Sequence, residues 1–189
     1  MTKVVALMSM SLDGYVADAN DGVDEVFDWY FSGDVDIPMP SAGSGFTFHV
    51  SAPSAGHLRG LMAEVGAMLT GRRTFERAGG WDGEHPWAVP AFVVTHQVPV
   101  GWPRPGSTVQ FVTDGIESAV ARAKSAARPK SVGVHGAQTI QQCLDAGLLD
   151  EIHVDLAAVL LAKSACAFAA YAAVCCIVVG AFSLSTAWE

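Results

Sequence analysis

A chain of 189 residues, 51% hydrophobic and 16% charged, is long enough to bury a core without disulfides and too apolar to be disordered. Its 11 Lys and Arg against 19 Asp and Glu leave a formal charge of −8. That balance argues against a nucleic-acid-binding surface and against docking on anionic lipid, both of which need clustered cations.

Val4 to Met8 is a continuous apolar run, as in a strand buried on both faces. Ser11-Leu12-Asp13-Gly14 breaks it. Residues 18–53 are acidic, aromatic and rich in Gly and Pro, with no Lys or Arg between Val4 and His57. They read as a long loop with short pieces of structure, a length usually reserved for lids or binding loops. Ser54 is the expected N-cap of a helix on which Leu58, Leu61, Met62 and Val65 recur at helical spacing. Ala67 to Thr70 predicts a strand, Gly71 to Thr74 a turn, and Thr74 to Ala78 a short helix stopped by Gly79-Gly80. Ala91 to Thr95 and Thr108 to Val112 predict two more strands. Asp114 with Glu117 resembles a capping box, followed by a helical face of Ile116, Ala119, Val120 and Ala123. Lys130 to Val134 predicts a strand, His135-Gly136-Ala137 a turn, and a helix with Ile140, Cys143 and Leu144 ends at Gly147. Glu151 to Leu161 predicts a long strand. Strands alternating with helices imply a mainly parallel sheet with helices on its faces, in one domain.

The cysteines are Cys143, Cys166, Cys175 and Cys176. None forms a C-x-x-C pair or a spacing suited to zinc, so no metal is expected and a reducing cytoplasm is. The apolar start is too short for a signal peptide and is followed by Asp13.

Three strand-to-turn junctions carry polar residues: Leu69 to Thr74, Val94 to His96, and Val134 to Thr139. Ligands of open parallel sheets bind beyond the carboxyl ends of the strands. Gly71 and Gly136 would let backbone approach a ligand, and helix N-termini there would face phosphate. Arg72 and Arg73 could hold a further phosphate. Singly, each junction is ordinary turn chemistry, and His135 reads as a turn residue rather than a base. Together they suggest a nucleotide cofactor with more than one phosphate. No G-x-G-x-x-G, G-x-S-x-G, H-E-x-x-H or P-loop is present.

Met8-Ser9-Met10-Ser11-Leu12-Asp13-Gly14-Tyr15-Val16-Ala17 resembles the opening of the dihydrofolate reductase-like superfamily. More closely it resembles the C-terminal reductase domain of the bifunctional deaminase-reductase of riboflavin biosynthesis. Thr70 to Glu76 is similar to that family's strand-turn-helix cofactor motif, and Val132 to Leu161 to its Gly-rich turn, helix, Asp-Glu pair and following strand. The resemblance spans about residues 1–161. It implies a three-layer α/β/α sandwich with a mainly parallel central sheet. It also implies NADPH as cofactor and hydride transfer to a pterin- or pyrimidine-like heterocycle, as in dihydrofolate reductase or 5-amino-6-(5-phosphoribosylamino)uracil reductase. On this resemblance Gly71, Arg72, Arg73 and Thr74 sit at the adenosine phosphate end, and Thr95 and His96 on the next cofactor loop. Gly136, Ala137, Gln138 and Thr139 form the pyrophosphate turn, with His135 standing where the family has a first glycine. Asp13 and Gly14 lie by the nicotinamide and substrate. Asp13 or a bound water would then be the proton source; the competing reading of Asp13 is a turn residue bonding its own backbone.

Residues 162–189 do not resemble the family, whose Gly-rich turn and final hairpin are expected to be altered here. From Ser164 to Trp188 no residue is charged. Three readings compete: foreign or out-of-frame sequence, a tail anchor of about 20 residues, or an unusual buried element. Weakly apolar alanine and the lack of a following basic residue argue against the anchor. The rival to a reductase is a non-catalytic or inactivated nucleotide-binding protein. No H-x-E…P-C-x-x-C deaminase signature is present. An exposed sheet edge and few polar residues near the C-terminus are compatible with a homodimer.

Overall fold

The apolar run near the N-terminus forms β1 (Val4–Ser11), with its first four residues buried. The computed structural model describes residues 2–41 and 45–161. After β1 come α1 (Asp24–Phe27), a single 3-10 turn over Asp28–Tyr30, and an antiparallel hairpin of β2 (Val35–Pro38) and β3 (Thr47–Val50). The expected long loop therefore holds a small separate sheet. Next are α2 (Ala52–Glu64), β4 (Val65–Gly71), α3 (Arg72–Arg77), a tight turn over Gly79–Gly83, β5 (Ala91–Val94) and β6 (Val109–Val112). The described chain closes with α4 (Ile116–Ala127), β7 (Ser131–His135), α5 (Ala137–Asp145) and β8 (Glu151–Ala157).

Six strands make one sheet in the order β6-β5-β4-β7-β1-β8, and all five pairings are parallel. Parallel neighbours need crossovers, which the helices supply, and these cover both faces. On one face Val4, Leu69, Phe92, Val132 and Val134 pack against Ile116, Ala119, Val120 and Ala123 of α4 and Cys143 of α5. On the other, Val5, Leu7, Met68, Ala91 and Val93 pack against Leu61 of α2 and Phe75 of α3. The result is the expected three-layer α/β/α arrangement. Burial among these side chains pushes the Cys143 thiol up to about 11, which makes it a small core residue rather than a nucleophile.

Several boundaries move. The N-cap of α2 is Ser51, not Ser54: the Ser51 hydroxyl accepts from the Ser54 N–H, and Pro53 occupies the first turn, where its missing N–H costs nothing. Ser54 itself is buried inside the helix. Ser51→Ala is expected to lower stability by about 1 kcal/mol, read from urea unfolding midpoints at constant m-value. The Asp114–Glu117 capping box does not form. Gly115 precedes α4, and the Asp114 carboxylate accepts instead from the Ser118 hydroxyl and Arg122. These bonds hold the Asp114 carboxyl below its usual range, the Ser118 hydroxyl contributing most. Helix α3 begins at Arg72 rather than Thr74, and β8 ends at Ala157, four residues short of Leu161. The expectations for residues 162–189, and for the hairpin they would replace, lie outside the described residues. No helix among the described residues is long and apolar enough to cross a membrane.

Candidate active site

With every main-sheet strand pointing the same way, the ends of β4, β5 and β7 open on one rim. Thr70 lies opposite His135, and Gly71 opposite Val94, so the three polar junctions are immediate neighbours. Two glycines let them approach one another closely. A Cβ on Gly71 would lie 2.8 Å from Thr139 Oγ1. A Cβ on Gly136, whose φ is +88°, would lie 2.7 Å from Thr74 Oγ1. Thr70, Thr74 and Thr139 thus surround a backbone cradle at the entrance of α5. Thr139 is buried there, while Ala137 and Gln138 are exposed in the first turn. No side chain caps α5, so first-turn N–H groups face outward beside the positive end of its dipole. At the next mouth Thr95 is buried, donating its N–H to Val112 O at 3.0 Å and its hydroxyl to Gln97 O at 2.8 Å, with His96 exposed beside it.

Arg72 and Arg73 stand at the rim but already have acidic partners. Arg72 Nε donates to Glu76 Oε1 at 2.7 Å, one helical turn on. Arg73 pairs with Asp21, and Arg77 donates to Asn20 O at 3.1 Å and to Asp21 O. The acidic loop is preshaped for this contact, since Asp18 Oδ1 accepts the N–H groups of Asn20 and Gly22, each at 2.7 Å. Both arginine side chains are more than 40% exposed. Exposed pairs of this kind are worth little and exchange readily for a phosphate.

Asp13 sits in the turn after β1. Its Oδ1 accepts from Ser11 Oγ at 2.6 Å and from the Leu161 N–H at 3.1 Å. Ser11 Oγ also accepts the Tyr15 N–H at 2.9 Å, and Gly14, at φ +87°, closes the turn. Neither of these Asp13 bonds is to the backbone of the turn itself: one comes from the Ser11 side chain and the other ties the turn to Leu161.

The sheet face under α2 carries polar residues that sequence reasoning missed. Ser9 lies opposite Asp155 in the β1–β8 register, and both are buried. His57 on α2 reaches Asp155, Nε2 to Oδ1, at 2.8 Å. Trp29 Nε1 donates to Ser9 Oγ at 3.1 Å, and Tyr30 stacks on Trp29 at 3.9 Å between ring centroids. Burial pushes the Asp155 carboxyl up, against the opposing pull of His57 and His153. Tyr30 is pushed up by burial first and then by Asp155, the Ser9 hydrogen bond opposing.

A second group lies between this pair and the β4, β5 and β7 mouths. Ala6 pairs with Val134, so His135 shares the face of Leu7 and Ser9 and is the last residue of β7 rather than part of the turn. Its ring faces His85 at 6.3 Å and Trp87 at 6.4 Å. The Trp87 N–H donates to His85 Nδ1, fixing the proton of neutral His85 on Nε2. Burial lowers His85 to about 3, with His135 adding to the effect, and lowers His135 to about 4. His85 is delivered by a left-handed turn in which Gly79, Gly80, Trp81, Asp82 and Gly83 have φ of 61°, 69°, 50°, 51° and 100°. For Trp81 and Asp82 that conformation costs about 1–2 kcal/mol each. The turn is held by Ser107 Oγ donating to Gly83 O at 2.8 Å and by Trp81 packing on Phe75 and His85. A cleft of about 480 Å³, lined by Lys3, Leu61, Glu64, Lys130, Glu151 and His153, opens toward the strand N-termini.

No family model matches the sequence, and no curated protein is similar to it at the sequence level. Solved structures do match. A Shewanella sp. PV-4 protein assigned to riboflavin biosynthesis superposes with a TM-score of 0.57 at 24% identity, over 85% of this chain and 79% of that one. Enterococcus faecalis dihydrofolate reductase, solved with NADP(H) and RAB-propyl, gives 0.51 at 13% identity over 86% and 74%. The Thermotoga maritima diaminohydroxyphosphoribosylaminopyrimidine deaminase/5-amino-6-(5-phosphoribosylamino)uracil reductase gives 0.53 at 14% identity, and this chain spans 47% of its length. With its parallel six-stranded sheet and helices on both faces, the chain has the dihydrofolate reductase-like fold.

Proposed function

We propose that this protein is an NADPH-dependent reductase of a pterin- or pyrimidine-like heterocycle. The observation that carries the reading is the adjacency of the β4, β5 and β7 mouths on one rim, with a glycine cradle between the first and last. The residues fit a dinucleotide. Any side chain at Gly71 or Gly136 would press on Thr139 or Thr74 and push the β4 and β7 mouths apart, and α5 offers first-turn N–H groups without a side-chain cap for a pyrophosphate. On this reading Gly71, Thr74, Gly136, Ala137, Gln138 and Thr139 hold the pyrophosphate, Arg72 and Arg73 the 2′-phosphate, and Thr95 and His96 the neighbouring part of the cofactor. When bound, the reduced nicotinamide supplies a hydride. The chain's own contribution is to exclude water and orient the acceptor ring: Trp29, Tyr30 and Trp87 wall the sheet face beyond β7, and the Asp13–Gly14 turn borders it. The fold of dihydrofolate reductase and its riboflavin-pathway relatives supports this choice over other dinucleotide chemistry.

Calorimetry with NADPH, followed by substrate-dependent loss of the reduced-nicotinamide absorbance, tests it. Tight binding without turnover of any heterocycle would instead support a non-catalytic nucleotide-binding protein. The double variant Arg72→Ala/Arg73→Ala is expected to weaken NADPH about tenfold, roughly the worth of one exposed phosphate contact. NADH, which lacks the 2′-phosphate, should be little affected; equal losses for both would remove these arginines from that role.

A further inference from the structure

The cofactor reading leaves unused the buried pair of His57 and Asp155 between α2 and β8. We propose that Asp155 is the catalytic acid of this protein, giving its proton to the nitrogen of the C=N bond that is reduced, and that His57 positions Asp155 and refills it from solvent. The proposal rests on the reductase reading above and names the acid within it.

Three observations carry it. First, Asp155 lies on the sheet face, one strand beyond Ser9, and its Oδ1 is held by His57 at 2.8 Å while no hydrogen bond is made to its Oδ2 among the described residues. One oxygen is fixed and the other is left to act. Second, the pair is graded in exposure: the Asp155 side chain is 10% exposed and that of His57 21%. The acid is therefore the more buried of the two and its partner the more exposed, the order a proton relay needs. Third, Asp155 has a histidine partner through which a proton can return, whereas Asp13 Oδ1 accepts from the Ser11 hydroxyl and the Leu161 N–H, neither of which relays a proton from solvent.

The step balances. The acceptor carbon of a C=N bond, a ring carbon in 7,8-dihydrofolate and C1 of the opened sugar in the uracil probe, gains a hydride with its electron pair, the C=N π electrons move to nitrogen, and nitrogen takes the proton from Asp155. The cofactor leaves oxidised. The Asp155 carboxylate then takes a proton back through His57 from water. Burial raises the carboxyl and so favours its holding a proton. The titratable groups facing it are His57 from α2, Tyr30 from the 3-10 turn and His153 from its own strand.

The test uses the full chain with saturating NADPH and two probes, 7,8-dihydrofolate and 5-amino-6-(5-phosphoribosylamino)uracil. Asp155→Asn is expected to slow the single-turnover hydride step about 100-fold, at the lower end of acid catalysis, with the NADPH dissociation constant within about twofold of wild type. His57→Gln should slow it less and displace its pH dependence, and His57→Ala should be partly restored by added imidazole. An Asp155→Asn variant that retains the wild-type rate overturns the proposal. So does a slowed variant set with unchanged pH dependence and no imidazole rescue, which is the signature of a staple between α2 and β8. Failure of the wild-type chain to reduce either probe overturns the reductase reading, and with it the acid, whatever the variants do.

Discussion

Gly136→Val is expected to weaken NADPH about 100-fold, near 2.7 kcal/mol. Two effects add. At φ +88° a β-branched residue is strained by about 1–3 kcal/mol. Its Cβ would also stand 2.7 Å from Thr74 Oγ1, so α3 and α5 must separate at the place where the phosphates are proposed to lie. Part of the strain will appear as lost stability, so thermal unfolding without ligand must be measured beside calorimetric binding. Gly136→Ala should fall between wild type and valine, since it carries the φ penalty with fewer added atoms. A folded Gly136→Val chain that binds NADPH normally would move the phosphates away from the β7–α5 turn.

Acid is expected to destabilise the protein well before its carboxylates titrate. His85 and His135 are held neutral, at about 3 and about 4 in the folded chain. In the unfolded chain both titrate near the ordinary value of about 6.5. The sign follows from linkage: below pH 6.5 the unfolded state binds two protons that the folded state refuses, so stability falls as pH falls. Above about pH 7 neither histidine contributes. Between pH 6.5 and 5 the two together remove about 3 kcal/mol, an order-of-magnitude figure from about 1.4 kcal/mol per pH unit per group. Asp155 works the other way. Its raised carboxyl makes the folded state the better proton binder, so it offsets part of the loss. Urea unfolding at pH 7 and pH 5 measures the difference. His135→Phe, which keeps an aromatic ring against His85 and Trp87, should halve the pH-dependent loss. An unchanged slope would mean that His135 is not held neutral.

The amount that could be read in advance differs sharply between the rim and the sheet face. Gly71 and Gly136 were legible because a glycine between an apolar run and a helical pattern is a local signal, and the cradle they form depends only on β4 and β7 being neighbours. The Asp13 contact with Ser11 is local in the same way, since it spans two positions. His57 and Asp155 were not legible, because their contact spans 98 residues. The available hint was the alternation in Glu151-Ile152-His153-Val154-Asp155, a strand with polar residues on one side, but nothing local says which face they take or what covers it. His85 was hidden in a stretch of Gly, Trp and Asp whose left-handed conformation no helical or strand period describes. The misplaced caps at Ser54 and Asp114 share one cause: several Ser, Asp or Gly residues lie near each helix start, and the choice among them depends on the direction from which the preceding chain arrives.

By itself, the sequence determined the α/β alternation, the buried run of β1 and the two glycine turns, because backbone propensity and hydrophobic periodicity act over a few neighbouring residues. Only the tertiary structure decided that the polar mouths share one rim, that Ser9 faces Asp155, and that His57 descends from α2 onto that pair. Those facts depend on strand order and register, which are set by packing among distant segments, and a shift of one residue would turn every one of these side chains to the opposite face.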